Sequence, residues 1–237
     1  MKKFKIFLIS SLFIFPRYEL LSYASCISES DSFYSGRQDT LDEQLLFNGR
    51  VWRNLYHLIK GDQFLFTKEF LTGTVTVNDK LFNNIRIKYD IYNDEIQTIT
   101  NHGIILQLNK EMVDMFTVKY EDKTYLFQRL EPDSMNILTG YVNILYDGST
   151  SLLVKYKKEI LQLAVENRYD LFNQLQRIYV RKENKTYPIS SKIDFLNLLS
   201  DKKPQIRKYI KNNKLKISKK IPESFIPVIE FYNTLKH

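Results

Sequence analysis

The chain has 237 residues, of which 43% are hydrophobic and 14% are aromatic. This composition excludes a disordered or low-complexity protein, because it supplies enough apolar surface for a packed core. The net charge of +8 is a local feature, since residues 201–220 contain nine Lys or Arg and one Asp. The basic pI therefore says nothing about the rest of the chain, whose charges balance.

The N-terminus carries a basic segment followed by an apolar one. Three lysines within the first five residues precede an apolar run from Ile6 to Phe15, which Pro16 ends. A membrane anchor needs about 20 apolar residues, so this run is too short to be one. The pattern predicts a secretory signal peptide over residues 1–24. We therefore expect an exported protein, located in the periplasm or associated with the outer membrane.

Two kinds of processing fit the end of this segment. Residues 22–24, Ser-Tyr-Ala, suit an ordinary signal peptidase, whereas residues 23–26, Tyr-Ala-Ser-Cys, resemble a bacterial lipobox in which Cys26 is lipidated. Cys26 is the one cysteine in the sequence, so no intramolecular disulfide can form. Residues 25–46 begin with a stretch rich in Ser, Asp and Glu, which predicts a tether.

Residues 47–189 repeat one local pattern, in which two alternating apolar runs flank a short turn. Alternation of apolar and polar residues indicates strands, and Asn-Asp, Glu-Asp, Asp-Gly or Glu-Asn between them indicates hairpin turns. The turns lie at residues 78–79, 121–122, 147–148 and 183–184. We therefore predict a mainly β domain, an antiparallel meander arranged as a sandwich or a partial barrel.

Helical signals are concentrated in residues 190–237. Ser190 or Ser191 is placed to cap a helix, and Pro204 suits the first turn of a second helix. A third helix is predicted around residues 225–235, with Ser224 as its cap. We expect this basic helical segment to pack on the β domain.

Several stretches resemble one known group of proteins. They include Asn-Gly-Arg-Val-Trp-Arg-Asn-Leu-Tyr at residues 48–56, Tyr-Asp-Ile-Tyr-Asn-Asp-Glu-Ile at 89–96, and Ser-Lys-Lys-Ile-Pro-Glu-Ser-Phe-Ile-Pro at 218–227. These stretches resemble a group of uncharacterised exported proteins of Bacteroidota-type bacteria. The resemblance implies a cell-envelope setting and no particular activity, substrate or catalytic residue.

One group of carboxylates is a candidate for catalysis. Asp90, Asp94 and Glu95 are close in sequence, and Glu111 and Asp114 follow further on. Paired carboxyl groups carry out general acid and base catalysis, which would make the protein a hydrolase acting on an envelope or extracellular substrate. The alternative is that residues 93–94 form a turn and leave these carboxylates in solvent.

Other familiar catalytic patterns are absent from the sequence. It has no Gly-x-Ser-x-Gly elbow, no glycine-rich phosphate loop and no pair of histidines at the i, i+4 spacing of a helical zinc site. We therefore expect no metal and no cofactor, and favour a protein that is not an enzyme.

The basic segment is the most distinctive feature of the sequence. On the helix after Pro204, the side chains of Arg207, Lys208, Lys211 and Lys214 are expected to face away from the apolar positions. In an envelope, such a stripe would meet anionic lipid, lipopolysaccharide or an acidic protein. The export signal argues against nucleic acid. The favoured hypothesis is a non-enzymatic binding or interaction module, and the alternative is a solvated face that keeps the protein soluble.

Overall fold

The computed structural model describes residues 44–132 and 138–235, and within them the main element is one eleven-stranded antiparallel sheet. Its strands are β1 (Gly49–Val51), β2 (Leu71–Val77), β3 (Lys80–Asp90), β4 (Glu95–Ile99), β5 (Ile105–Leu108), β6 (Val113–Tyr120), β7 (Lys123–Leu130), β8 (Gly140–Tyr146), β9 (Thr150–Val165), β10 (Tyr169–Lys182) and β11 (Lys185–Ile189).

The strands are arranged as two meanders joined at β2. Strands β2 to β5 follow one another in space, and the chain then returns so that β6 pairs with the free side of β2. From β6 to β11 each strand again pairs with the next. The predicted antiparallel meander followed by helices is confirmed. The sheet is not closed, because β1 lies at one edge and β11 at the other.

The four predicted hairpins are confirmed, although the turn at Asp147 and Gly148 does not have the expected backbone conformation. Asn78 and Asp79 have φ of 47° and 62°, the positive values that a two-residue type I′ turn requires. Gly148 is not among the residues with positive φ. At that turn Ser151 supports the backbone instead: its hydroxyl donates to Asp147 Oδ1 at 2.8 Å and accepts from the Gly148 N–H at 3.3 Å.

The hairpin of β9 and β10 is the longest in the sheet and was not predicted. It pairs Thr150 with Lys182 at one end and Val165 with Tyr169 at the other. Residues 157–165, Lys-Lys-Glu-Ile-Leu-Gln-Leu-Ala-Val, are mostly strong helix formers and do not alternate in polarity. Pairing with β10 therefore outweighs the local preference of this segment.

Three helices follow the sheet, namely α1 (Lys192–Leu198), α2 (Lys203–Asn212) and α3 (Ile226–Thr234). Ser191 is the N-cap of α1, since its hydroxyl accepts from the Asp194 N–H at 3.1 Å. Pro204 lies in the first turn of α2, as predicted. Ser224 does not cap α3, because a 3₁₀ turn at Pro222–Phe225 precedes the helix.

One hydrophobic core joins the helices to the sheet. Phe116 and Phe127 stack in the sheet with ring centroids 4.7 Å apart, and Phe195 of α1 packs edge-on against Phe225 at 4.9 Å. Each such side chain contributes about 1.5–3 kcal/mol through burial. Leu46, just before the predicted β domain, is 5% exposed and belongs to the same core.

Candidate functional site

The three candidate carboxylates lie at one tight turn. Asp90 is the last residue of β3, Glu95 is the first residue of β4, and the two are paired across the hairpin. Asp94 lies in the connection, with a φ of 60° that Asp tolerates better than most residues. The structure therefore brings the three carboxylates to one end of the hairpin, but it gives each of them different partners.

Asp90 is used to close the turn. It is 1% exposed, and its carboxylate accepts the N–H groups of Tyr92 at 3.0 Å and Asn93 at 2.9 Å. The Asn93 side-chain amide donates to its other oxygen at 2.9 Å. Burial raises the pKa of Asp90, and these three hydrogen bonds partly oppose the rise. This carboxylate serves the backbone of the turn and does not face open space.

Asp94 lies between two lysines. Its oxygens are 2.6 Å from Lys110 Nζ and 2.8 Å from Lys155 Nζ, and the Tyr89 hydroxyl donates to it at 2.6 Å. Burial by itself would raise the pKa of Asp94, but the charge of Lys155 and these hydrogen bonds outweigh it and lower the pKa. Asp94 is therefore an ionised carboxylate that is committed to internal partners.

The groups around Asp94 form a buried network across several strands. Burial lowers the pKa of Lys155, and the adjacent Asp94 carboxylate opposes that effect. Burial also raises the pKa of Tyr89 and Tyr141, and Asp94 adds to both shifts. Lys155 additionally donates to the Tyr141 carbonyl at 2.9 Å. The network connects β3, β8 and β9 with Lys110 in the loop before β6, so its main role is to join these elements.

Glu95 is the candidate carboxylate that lines a cavity. The cavity has a volume of about 520 Å³, and Arg50, Gln107, Lys110 and Glu111 also line it. Arg50 Nη2 lies 3.2 Å from Glu95 Oε1, and Arg50 Nε donates to Gln107 Oε1 at 2.9 Å. Burial raises the pKa of Glu95, and the Arg50 guanidinium opposes the shift. This arrangement leaves a partly buried acid at the wall of a polar cleft.

The basic stripe is exposed, as its spacing predicts. Arg207, Lys208 and Lys211 lie on the outer face of α2, while Ile206 and Ile210 of the same helix are buried. Lys214 is also exposed, but it lies two residues beyond the end of α2 and has a φ of 51°. The helix therefore carries three of the four predicted cations, and the turn after it carries the fourth.

A second basic feature, beside β10, was not predicted from the sequence. A cavity of about 470 Å³ is lined by residues 176–179 of β10, by residues 188–190, and by Lys219 and Lys220. Arg177, Lys219 and Lys220 are all exposed. The charge of Lys219 and Lys220 is visible in the sequence, but their position beside Arg177 depends on a contact between segments about 40 residues apart.

Two kinds of feature are absent from the residues that the structure describes. In residues 44–132 and 138–235, no group of three or more His, Cys, Asp or Glu side chains is arranged to hold a metal ion. The helices of the described part are all too short or too polar to cross a membrane.

The predicted signal peptide over residues 1–24 and the lipidation candidate Cys26 lie outside the described residues.

Comparison with known proteins does not identify a family for this chain. No protein-family model matches it, and neither a curated protein nor a solved structure is significantly similar to it. Functional conclusions therefore depend on the residues and geometry described above.

Proposed function

We propose that this protein is a non-enzymatic binding module of the cell envelope, whose basic C-terminal segment, residues 201–220, binds an anionic partner. The observation that carries the proposal is the exposure of Arg207, Lys208, Lys211 and Lys214 without neutralising partners in the part of the chain that the structure describes. Among the described residues, no carboxylate lies within the 4.0 Å ion-pair distance of any of these four side chains.

The stripe differs in this respect from the cations around Asp94 and Glu95. Arg50, Lys110 and Lys155 each contact a carboxylate of the fold, so their charge is used within the protein. The α2 cations are held on one face because Ile206 and Ile210 fix the opposite face in the core. A fixed array of unneutralised charges attracts an anionic surface or chain at long range and holds it on contact.

The expected setting follows from the N-terminal sequence, which predicts export. The anions of a bacterial envelope are lipid headgroups, lipopolysaccharide phosphates and acidic proteins. A lysine near an anionic surface contributes about 1 kcal/mol to binding. Three lysines in the stripe then account for about 3 kcal/mol, or more than a hundredfold in affinity.

The proposal is tested by reversing the charge of Lys208, Lys211 and Lys214 to Glu in one variant. Binding is measured to vesicles that contain phosphatidylglycerol and, separately, to polyglutamate, at low and at physiological salt. We expect the unmodified protein to bind at least one of the two probes and to bind it less tightly as salt increases. The triple variant should lose that binding.

A matched control separates local from overall charge. Lys119, Lys123 and Lys185 are exposed lysines of the sheet, and reversing all three gives the same net charge as the test variant. If both triple variants bind equally, or if the unmodified protein binds neither probe, the basic segment is only a solvated face and the proposal is wrong.

A hydrolase remains the second candidate because of Glu95. A carboxyl group with a raised pKa keeps its proton closer to neutral pH, which a general acid requires. Glu111 lines the same 520 Å³ cavity and offers a second carboxylate. The two roles needed for acid and base catalysis are thus available at one cleft, while Asp90 and Asp94 are occupied by internal partners.

The hydrolase candidate is tested with chromogenic glycoside and ester substrates. If it is correct, the unmodified protein hydrolyses one of them, and Glu95→Gln lowers kcat by at least about a hundredfold, the scale of general acid catalysis. Glu121→Gln, in an exposed turn, is the control and should retain full activity. The absence of turnover with every substrate, or equal activity in both variants, would remove this candidate.

A further inference from the structure

Strand β10 is longer than the strand that covers its outer edge. β11 pairs with β10 from Ile178 to Lys182, and the backbone of Lys60 bridges to Leu171 at the other end. Between these two contacts, in the part of the chain that the structure describes, no strand pairs with the outer edge of residues 173–177. Gln176 and Arg177, at one end of this uncovered edge, line the 470 Å³ cavity.

Two observations show which backbone groups point out of that edge. The Phe172 N–H donates outward to the Lys60 carbonyl at 3.0 Å, and backbone groups alternate in direction along a strand. The N–H and C=O groups of Gln174 and Gln176 therefore point outward as well. Pro188, which lacks an N–H, lies opposite Tyr179, where this alternation requires no bond to β10.

The space beside this edge has the form of a slot. On one side is β10, and at one end is Ser190, where the chain leaves β11 to begin α1. Lys219 and Lys220 also line the space, and their carbonyls each accept from the Gln176 side-chain amide at 3.2 Å. β11 ends where the slot begins, so the slot continues the line of that strand.

The charged side chains of the slot lining are all cationic. Arg177, Lys219 and Lys220 are exposed, and none of them pairs with a carboxylate among residues 44–132 and 138–235. An acidic chain is complementary to this lining. A second copy of the protein would bring the same three cations against it, so edge-to-edge pairing of two copies is disfavoured.

We infer that the outer edge of β10 binds an acidic peptide in extended conformation, which adds to the sheet as a further strand. Gln174 and Gln176 supply the backbone hydrogen bonds, and Arg177, Lys219 and Lys220 hold its carboxylates. The inference rests on the proposed function, because it specifies the anionic partner of the basic segment as a peptide. It places that partner beside β10.

The test uses two fluorescent peptides that share one sequence, a repeat of Glu-Glu-Thr-Thr, which puts carboxylates on both faces of an added strand. In one the backbone amides are free, and in the other they are N-methylated, which keeps every charge and removes every N–H donor. We expect the free peptide to bind the full-length protein at least tenfold more tightly than the methylated one. Bound peptide should also slow hydrogen exchange at the amides of Gln174 and Gln176, while Leu175, whose amide points to β9, is unaffected.

Variants locate the binding site. A variant with Arg177→Glu, Lys219→Glu and Lys220→Glu should no longer bind the free peptide. The control variant, in which Lys119, Lys123 and Lys185 are changed to Glu, should bind it as the unmodified protein does. Gln174→Pro removes an outward N–H and no bond to β9, so it should weaken peptide binding in a folded protein. The comparison of the two peptides needs no variant and decides the matter even where a variant fails to fold.

The outcomes separate this inference from the proposed function. Equal binding of the two peptides, or unchanged exchange at Gln174 and Gln176, overturns strand addition and leaves a binding module that recognises charge alone. Binding to phosphatidylglycerol vesicles without binding to the free peptide also overturns the inference while supporting the proposed function. If the free peptide binds at least tenfold more tightly than the methylated one, but reversal of Lys208, Lys211 and Lys214 affects binding to neither polyglutamate nor vesicles, the slot is established and the proposed role of the α2 stripe is wrong.

Discussion

Asp94 and Lys155 form an ion pair of 2.8 Å across 61 residues of sequence. The side chains are 20% and 16% exposed, so both charges are largely removed from water. Ion pairs of this kind are costly to form and costly to break, because loss of one partner leaves the other charge buried alone. The pair joins the β3–β4 connection to β9.

Replacing Asp94 by Asn should destabilise the protein strongly. The variant keeps the shape of the side chain but leaves Lys110 and Lys155 without their shared carboxylate, and loss of one partner of a buried pair costs about 3 kcal/mol. The free energy of unfolding in urea is the measurement. Asp122→Asn, in an exposed turn, is the control and should change stability by less than about 0.5 kcal/mol. Equal stability of the two variants would contradict a structural role for Asp94.

As the pH falls, Asp94 and Asp90 should change the stability of the fold in opposite directions. The pKa of Asp94 is lower in the folded than in the unfolded protein, so its stabilising effect is present above the unfolded value, about 3.9, and is lost as the pH falls through the folded pKa. The pKa of Asp90 is raised by burial, so protonation of Asp90 favours the folded state as the pH falls.

The measurement is urea unfolding between pH 6 and about 3, where carboxylates titrate. The stability difference between the unmodified protein and Asp94→Asn should shrink as the pH falls below about 4. The difference between the unmodified protein and Asp90→Asn should not shrink in that range. A constant difference for Asp94→Asn down to the lowest pH would show that the ion pair does not stabilise the fold.

Gly140→Ala should disrupt the same network from the backbone. Gly140 has a φ of 75°, and a Cβ added there would overlap Asp94 Oδ2 and approach Lys155 Nζ to 3.0 Å. Gly103 is a matched control, because it has a φ of 79° and nothing within 4 Å of its added Cβ. Gly103→Ala should lower the free energy of unfolding by about 1 kcal/mol, because Ala is less stable than Gly in a left-handed backbone conformation. Gly140→Ala should lower the free energy of unfolding by clearly more than this. Similar unfolding temperatures for the two variants would exclude the overlap of the added Cβ with Asp94.

The cap of α1 gives a test of a local prediction. Ser190 and Ser191 are adjacent, and the hydroxyl of Ser191 accepts the Asp194 N–H. Ser191→Ala should lower the free energy of unfolding by about 1 kcal/mol. Ser190→Ala should have a smaller effect, because Ser190 does not cap the helix. The reverse order of the two effects in thermal unfolding would place the cap at Ser190.

Local sequence determined the hairpins and the start of two helices. At residues 74–82, alternating side chains and the pair Asn78 and Asp79 specify both strands and the turn within nine residues. The cap at Ser191 and the proline in the first turn of α2 depend on residues that are equally close. The exposure of Arg207, Lys208 and Lys211 also follows from helical spacing, because Ile206 and Ile210 occupy the opposite face.

Tertiary structure decided the features whose residues are distant in sequence. No local pattern indicates that β6 returns to pair with β2, or that Lys155 supplies the counterion of Asp94 and so removes it from the group of free carboxylates. The slot beside β10 requires β11 to end before its partner does and Lys219 to lie across from Gln176. Periodicity and turn chemistry act over a few residues, whereas these contacts depend on how the whole sheet and the helices bury their apolar faces together.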